Sequence, residues 1–309
     1  MRALSLRQSR TLRVVETAAP APGRGEVLVR IRACGVCGSD LNAWRGVTGI
    51  DYPLPAGAPG HETWGDVLQV GQDVDSLRIG QLVTGLMWNG FAELGVARAE
   101  DLVVVPPAFG HTPVLGEPLA CAMNVLRRSE LQPGQSFAIV GFGYLAALLV
   151  QLLPRPQPRW VAISRREDSR ELALRLGAAE AYEYANIPPE LWDAFPIVVE
   201  AGGVQQTLDF GTWLTAYGGR LVIAGYHADG PRTVNMQSWN WKGIDVINAH
   251  ERRSEVYLDA LHSAFERVAS NPLDLSMLHT HHFGLDEAET AFSLAETRPV
   301  GFVKALLCP

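Results

Sequence analysis

The chain has 309 residues and a net charge of −7 at pH 7, which argues against a general nucleic-acid binder because phosphate contacts need a basic surface. Hydrophobic residues make up 47% and charged residues 19%, as in ordinary globular proteins of one large or two smaller domains. No apolar run approaches a membrane span of ~20 residues, the basic N-terminus does not resemble a signal peptide, and four cysteines are too few for a disulfide framework, so we expect a cytoplasmic protein.

The first hundred residues predict a β-rich domain. Apolar side chains alternate over 26–33, which is the period of a half-buried strand. Further short strands are predicted over 66–70, 81–84 and 102–105, because glycine-rich or polar turns separate these apolar runs. Many short strands without long helices indicate a small barrel or sandwich.

From about residue 136 the pattern changes to alternating strands and helices. Strands are predicted over 136–140, 160–163, 197–200, 220–224 and 244–248. Helices are predicted over 146–153, 167–176 and 204–214, and Gly177 is expected to end the second of these in a left-handed conformation. This alternation is typical of a doubly wound parallel α/β sheet. One further helix is predicted near 255–269, before a mixed tail that ends over 301–307.

Three side chains form a candidate metal site. Cys37 lies in a glycine-dense turn, and His61 and Glu62 follow later in the same β-rich region. Zn²⁺ binds this mixture of sulfur, nitrogen and oxygen donors well. A structural zinc site would use four closely spaced ligands, whereas three donors with an open position are typical of catalytic zinc. Each residue taken singly is more often structural, and Cys34 is interpreted as a small buried residue.

Three segments carry a resemblance to a known family. The stretch 60–71, Gly-His-Glu-Thr-Trp-Gly-Asp-Val-Leu-Gln-Val-Gly, resembles the zinc signature of the medium-chain alcohol dehydrogenase family. Residues 35–40 resemble its cysteine-ligand segment, and 117–120 resemble the segment that supplies a further glutamate near the metal in its polyol-dehydrogenase branch. The segments occur in the family's order, and the resemblance spans nearly the whole chain.

This resemblance implies a GroES-like β-barrel catalytic domain over 1–117 and a Rossmann-fold NAD(P)-binding domain over 118–250. Residues 251–309 are expected to return to the catalytic domain. It further implies that Cys37 and His61 bind one catalytic zinc. Glu62 and Glu117 would be a ligand and a neighbouring or exchanging partner, in an order that the sequence leaves open. Ser39 is expected to pass the substrate proton toward solvent, since zinc stabilises an alkoxide over its alcohol.

The sequence departs from the family pattern in two places. Many members carry a histidine five positions after the cysteine ligand as the outer proton acceptor, and this chain has Asn42 there. Asparagine is no base near neutral pH, so the relay is expected to end in water or another group. The structural-zinc lobe with its four clustered cysteines is missing over 85–93. At most one zinc per chain is therefore expected.

A glycine turn predicts the nucleotide site. Gly141 and Gly143, with Ala146 in the place of a third glycine, lie between a predicted strand and a predicted helix. Such a turn binds pyrophosphate at the helix N-terminus. The next strand ends in Ser164-Arg165-Arg166, where NAD-binding folds place a carboxylate. Arginine matches the charge and geometry of a phosphate, so NADP(H) is expected to be preferred over NAD(H).

The substrate is expected at the domain junction, which is the default site of such folds. A loop containing Gly225 and His227 is expected to pass the nicotinamide. The candidates to line the substrate pocket are Trp44, Trp88, Asn89 and His250.

Three functions remain open from the sequence. The first is a zinc-dependent, NADP(H)-preferring dehydrogenase or reductase for a secondary alcohol or its ketone, with polyol or sugar-like substrates. The second is a zinc-free NADPH-dependent reductase of the quinone or enoyl type in the same superfamily. The third is a non-catalytic NADP(H)-binding redox sensor. No nucleic-acid or membrane partner is expected, and a strand over 244–248 at a sheet edge suggests a homodimer or homotetramer.

Overall fold

The computed structural model describes residues 1–47 and 49–309. These residues form two compact units, of which the first comprises Met1–Ala120 with Arg253–Pro309 and the second comprises Cys121–Arg252. No helix within the described residues is both long and apolar enough to cross a membrane.

The first unit is built on β-strands. Its strands are β1 (Arg2–Gln8), β2 (Thr11–Glu16), β3 (Glu26–Gly35), β4 (Glu62–Val70), β5 (Leu82–Gly85), β6 (Leu94–Arg98), β7 (Leu102–Val104), β14 (His281–Phe283) and β15 (Ala305–Leu307). Its helices are α1 (Asp40–Arg45), α7 (Ser254–Ser270) and α8 (Ala288–Thr297), with 3-10 turns at Ala99–Asp101, Pro107–Phe109 and Leu285–Glu287. Helix α2 (Gly116–Ser129) begins in this unit and ends in the second.

Strand β3 organises the first unit. The seven-stranded sheet has the order β14-β15-β3-β4-β5-β7, and β6 also pairs with β3. Val27, Val29 and Ile31 of β3 are buried, as the alternating pattern predicts. Their core also contains Phe292 of α8. Because β15 pairs with β3, the end of the chain belongs to the same sheet as its beginning.

The second unit is a doubly wound α/β fold. Its strands are β8 (Phe137–Val140), β9 (Trp160–Ile163), β10 (Glu180–Tyr182), β11 (Phe195–Glu200), β12 (Thr215–Ile223) and β13 (Asp245–Asn248). Its helices are α3 (Tyr144–Gln151), α4 (Glu167–Arg175), α5 (Gln205–Leu214) and α6 (Met236–Lys242), with 3-10 turns at Tyr184–Asn186 and Pro189–Leu191. All six strands are parallel in the order β10-β9-β8-β11-β12-β13, which confirms the predicted fold class.

Several elements lie outside the sequence prediction. The hairpin of β1 and β2, the short helices α1 and α6, and helix α8 were not predicted, and helix α3 begins two residues before the predicted position. The left-handed conformation expected of Gly177 is confirmed by its φ of 101°.

Candidate active site

Two paired strands bring the three predicted metal donors together. Cys37 follows the end of β3, and Glu62 opens β4, whose first residue pairs with Gly35. The donor atoms of Cys37, His61 and Glu62 all lie within 4.8 Å of one another. These three residues are called the donor cluster below. Its mixed sulfur, nitrogen and oxygen donors fit a zinc ion that keeps one position open.

The hydrogen bonds of His61 select the tautomer that a metal ligand needs. Its Nδ1 lies 3.1 Å from the carbonyl oxygen of Pro59. A carbonyl can only accept, so Nδ1 carries the hydrogen and donates it. When the ring is neutral, as a metal ligand must be, the lone pair is therefore on Nε2, which lies 3.5 Å from the hydroxyl of Ser39. Nε2 is the atom left to bind a metal, with the predicted relay hydroxyl beside it.

Asp40 orients two of the three donors. Its Oδ2 accepts a 2.8 Å hydrogen bond from the backbone N–H of Cys37, and its Oδ1 lies 3.2 Å from His61 Nδ1. Burial raises the pKa of Asp40, although His61 and the Cys37 amide act against this shift. A carboxylate behind a metal-binding histidine fixes the orientation of the ring. Asp40 lies within the motif 35–40 but was not predicted as a site residue, although a carboxylate three positions after a candidate ligand cysteine is a usable signal.

A buried lysine neutralises part of the donor cluster. Nζ of Lys304, just before β15, lies 2.5 Å from Oε2 of Glu62, and the two side chains are only 6% and 2% exposed. Burial alone would lower the pKa of Lys304, but Glu62 and Cys37 raise it above its usual value. Lys304 was not predicted as a site residue, and its one signal in the sequence is that it is a single lysine within the apolar run 302–307.

Glycine is required beside this ion pair. A Cβ added to Gly35 would lie 2.1 Å from Oε2 of Glu62 and 2.8 Å from Cε of Lys304. Both side chains therefore occupy the space that any larger residue at 35 would need. The first glycine of the motif 35–40 thus serves packing of the donor cluster.

The electrostatics of the cluster favour a cation. Burial raises the pKa of the Cys37 thiol, and the nearby charge of Glu62 raises it further. In His61, burial opposes a charged ring, but Asp40 and Cys37 together raise its pKa above the usual value. A bound divalent cation would lower the pKa of the Cys37 thiol again, because a metal binds the thiolate and displaces its proton.

Trp88 and Asn89 form part of the rim of the donor cluster. The Trp88 ring lies 6.0 Å from the ring of His61 and is 65% exposed. Asn89 adopts a φ of 59°, and its carbonyl oxygen would lie 2.1 Å from a Cβ at Gly57. The backbone N–H of Gly90 donates to Gly60, which ties this loop to the residue before His61. Trp88 therefore lies beside His61, and Asn89 follows it in a loop that is tied to Gly60.

Other predicted residues of the first unit lie elsewhere. Trp44 is 4% exposed and packs against Phe292, with ring centroids 5.5 Å apart, so it contributes to the core. Glu117 lies half-buried in the first turn of α2, outside the three-residue donor cluster found among the described residues. Asn42 lies on α1.

In the second unit the glycine turn has the predicted geometry. Gly141 has a φ of 86°, and an added Cβ would lie 2.7 Å from the backbone nitrogen of Gly202. Gly143 is the N-cap of α3, and no described atom lies within 4 Å of a Cβ built on it. Ala146 is buried in α3. The turn thus leaves open backbone at a helix N-terminus, which suits a pyrophosphate.

The loop after β12 approaches the turn after β11. A Cβ on Gly225 would lie 2.3 Å from the backbone nitrogen of Gly203 and 2.7 Å from Oε2 of Glu200. His250 Nε2 lies 3.1 Å from the carbonyl oxygen of Gly225 and must donate to it. Gly225 and His250, both predicted as site residues, are therefore linked at the carboxyl ends of the parallel strands.

The two predicted phosphate-binding arginines differ in their surroundings. Arg166 Nε donates a 2.9 Å hydrogen bond to Asp168, and its NH2 group pairs with the same carboxylate. Arg165 is exposed, and its guanidinium forms no hydrogen bond or ion pair within the described part of the chain. Ser164 is buried, with its backbone N–H donating to Tyr182. Arg165 is thus the open guanidinium at this strand end.

Comparisons with known proteins agree with this geometry. Residues 23–107 match the family model described as “Alcohol dehydrogenase GroES-like domain”. “Probable alcohol dehydrogenase AdhA” of Mycobacterium tuberculosis is 30% identical over 265 residues, which cover 72% of this chain and 73% of that protein. The chain belongs to the alcohol dehydrogenase family with a GroES-like domain. This confirms the family that the motifs indicated.

Further members cover nearly all of this dehydrogenase. D-arabinitol dehydrogenase 1 of Uromyces fabae is 23% identical, over 96% of this chain and 95% of that protein. The crystal structure of galactitol-1-phosphate dehydrogenase from Escherichia coli has a TM-score of 0.85 at 20% identity and covers 100% of both chains. The structural likeness confirms the fold, and the relatives support an oxidoreductase of the alcohol and polyol dehydrogenase type.

Proposed function

We propose that this dehydrogenase is a zinc-dependent, NADP(H)-preferring oxidoreductase that interconverts a secondary alcohol and its ketone. The donor cluster carries this proposal, because Cys37, His61 and Glu62 converge within 4.8 Å. The zinc-free reductase and the redox sensor would need no such convergence of thiol, imidazole and carboxylate.

The residues of the cluster divide the chemistry among them. Cys37, His61 through Nε2, and Glu62 hold the metal, and Asp40 keeps the first two in place. When bound, zinc would supply a Lewis acid that favours loss of the alcohol proton, and the nicotinamide would supply or accept the hydride. The Ser39 hydroxyl, 3.5 Å from His61 Nε2, would accept the alcohol proton while it donates its own proton to solvent.

A polyol or sugar-like substrate is supported by two observations. D-arabinitol dehydrogenase 1 and the “Sorbitol dehydrogenase” of Gallus gallus are named for polyols, and the latter is 26% identical over 91% of this chain. The exposed Trp88 ring beside His61 offers an apolar face, while the Asn89 amide offers hydrogen bonds to hydroxyl groups.

The preference for NADP(H) rests on Arg165, with Ser164 and Arg166 as its neighbours. The fold alone does not determine whether NAD(H) or NADP(H) is bound. One structural neighbour contains NADH, and another, a Sinorhizobium meliloti dehydrogenase, contains NADP. Arg165→Ala should weaken NADPH binding by about 10- to 100-fold, the loss of one charge-assisted bond to phosphate. NADH binding should stay unchanged, as should both affinities in the control Arg175→Ala. Equal losses for the two cofactors would contradict the assignment.

A polyol panel with controlled metal content tests the reaction. The protein is stripped with a chelator, dialysed and assayed for NADP⁺ reduction with pentitols, hexitols and simple secondary alcohols. We expect no turnover after stripping and recovery with Zn²⁺ but not with Mg²⁺, because the donor set is soft. Full activity in the stripped protein would support the zinc-free reductase instead.

We further propose that the protein forms a homodimer, or a tetramer built from such dimers. Strand β13 is the edge of its sheet, and such edges pair with other chains. The side chain of Trp241, on the preceding helix, is 79% exposed. Light scattering should show a dimer or tetramer, and a monomer at micromolar concentration would overturn this proposal.

A further inference from the structure

A buried carboxylate organises the turn after β11. Glu200, which ends that strand, is fully buried. Its Oε1 accepts hydrogen bonds from the backbone N–H groups of Gly202 and Gly203, at 2.8 and 2.7 Å, and from the hydroxyl of Thr207 at 2.5 Å. Its Oε2 lies 3.0 Å from Nε2 of His227. Burial would raise the pKa of Glu200, but these partners lower it, so the carboxylate is ionised.

The partners of His227 determine its tautomer. Arg232 Nε lies 2.8 Å from His227 Nδ1. A guanidinium can only donate, so Nδ1 accepts and carries no hydrogen. The single hydrogen of the ring is on Nε2 and is donated to Glu200. His227 is therefore a neutral link between an anion and a cation, with its side chain 15% exposed.

This link joins two segments of backbone. Arg232 also donates a 2.9 Å hydrogen bond to the carbonyl oxygen of Gly203 and pairs with Asp229. The loop that contains Gly225 and His227 is thereby tied to the turn 201–203. A Cβ at Gly141 would meet that same turn at Gly202. Strands β8 and β11 mark the point where the strand order reverses, which is where such sheets bind nucleotides.

We propose that His227 is a positioning residue for the cofactor, acting as the neutral Nε2–H link between Glu200 and Arg232. The link holds the two turns in the shape that receives the nicotinamide nucleotide. This inference rests on the proposed function, in that it assumes a nicotinamide nucleotide as ligand.

The link depends on an Nδ1 that carries no hydrogen. The charged groups that face His227 are Glu200, at the end of β11, and Arg232 and Asp229, in its own loop. A hydrogen on Nδ1 would remove the acceptor of Arg232 Nε and would face the guanidinium, so the bond to Arg232 would be lost.

Two substitutions separate positioning from simple packing. His227→Gln keeps one donor and one acceptor but cannot be protonated, whereas His227→Leu removes both groups. His262→Gln, on the exposed face of α7, is the matched control. Binding of NADPH and NADH is followed by nicotinamide fluorescence at pH 8. The tautomer in the unsubstituted protein is read from ¹⁵N chemical shifts of the imidazole.

We expect the Nε2–H tautomer and about tenfold weaker cofactor binding in His227→Leu. His227→Gln should bind like the unsubstituted protein, because it keeps one donor and one acceptor. A Nδ1–H tautomer would overturn the inference, as would unchanged binding in His227→Leu or an equal loss in both variants. If the unsubstituted protein bound neither nucleotide, the proposed function would fail, while the tautomer measurement would still test the link.

Discussion

Asp40 is a residue that controls the donor cluster from behind. One carboxylate accepts the Cys37 amide and lies 3.2 Å from His61 Nδ1. Its removal would leave both donors without a fixed orientation. Because metal affinity depends on pre-positioned ligands, Asp40 should matter to zinc binding nearly as much as a direct ligand does.

We therefore predict that Asp40→Asn lowers zinc affinity by about 10- to 100-fold. The amide oxygen can still accept from Cys37, so the fold should persist and excess zinc should restore part of the activity. The measurement is a competition titration with a chromogenic chelator, and the exposed Asp75→Asn is the control. Unchanged zinc affinity in Asp40→Asn would refute this function of Asp40.

The pair of Lys304 and Glu62 has a different consequence. Removing one partner of a buried ion pair leaves an uncompensated charge, so Lys304→Met should lower the free energy of unfolding of the metal-free protein by about 3 kcal/mol. The loss should be smaller in the zinc-loaded protein, because the metal supplies a positive charge to Glu62. Urea unfolding with and without zinc measures both values.

A double substitution provides the control for this prediction. In the Glu62→Gln background the anionic partner of Lys304 is gone, so adding Lys304→Met should cost much less than it does alone. Equal costs in the two backgrounds would show that the lysine stabilises the protein by packing and not by charge.

At the scale of elements, helix α8 is tied to the N-terminal hairpin and α1 by one glutamate. Glu296 accepts a bidentate pair from Arg10, at 2.6 and 2.8 Å, and a 2.8 Å bond from Arg45. These hydrogen bonds from Arg10 and Arg45 outweigh the partial burial of Glu296 and lower its pKa to about 2. The Arg10 guanidinium also lies 5.9 Å from the Trp44 ring.

This depressed pKa predicts a pH-dependent contribution to stability. The contribution is present above the ordinary pKa of about 4.5 and is lost as the pH falls toward about 2, since the Glu296 carboxylate is then protonated and loses its ion pairs with Arg10 and Arg45. Both arginines are about half exposed, so we expect Glu296→Gln to cost only about 1 kcal/mol at pH 7. Urea midpoints should show this difference at pH 7 and a smaller one at pH 3.5. The exposed Glu266→Gln should show neither, and a difference that grew in acid would contradict the argument.

The elements also show what the sequence could predict. Strand β9 lies at its predicted bounds because its four apolar residues are enclosed by polar turns. Helix α6 was missed because its sequence, MQSWNWK, has no apolar periodicity and is held by contacts of Lys242 with the end of α5. Helix α8 was missed although Ala288, Phe292 and other buried residues recur every three or four positions.

Some residues of the candidate site could likewise be predicted from the sequence, and others could not. Local motifs predicted the donors Cys37, His61 and Glu62, because each lies in a short segment with its own chemistry. Lys304 approaches them through pairing of β15 with β3, and a contact between chain positions so far apart leaves no local pattern. The tautomers of His61 and His227 depend on single hydrogen bonds and could not be predicted either.

At the scale of the whole molecule, the candidate metal site and the candidate nucleotide-binding turn belong to different units. The donor cluster lies in the unit of Met1–Ala120 with Arg253–Pro309, and the glycine turn lies in the unit of Cys121–Arg252. The first unit needs both ends of the chain. Strand β15 pairs with β3 in its sheet, and Lys304, directly before β15, pairs with Glu62 of the donor cluster. The central claim is that this unit holds one catalytic zinc.

Metal content, measured together with alcohol oxidation, tests that claim most directly. Zinc is determined by mass spectrometry in the unsubstituted protein, in Cys37→Ala and in the control Cys308→Ala, whose cysteine lies outside the donor cluster. We predict about one zinc per chain and NADP⁺-linked polyol oxidation in the unsubstituted protein and in Cys308→Ala. Cys37→Ala should lose both. A Cys37→Ala protein that kept its zinc and still oxidised the alcohol would contradict the account.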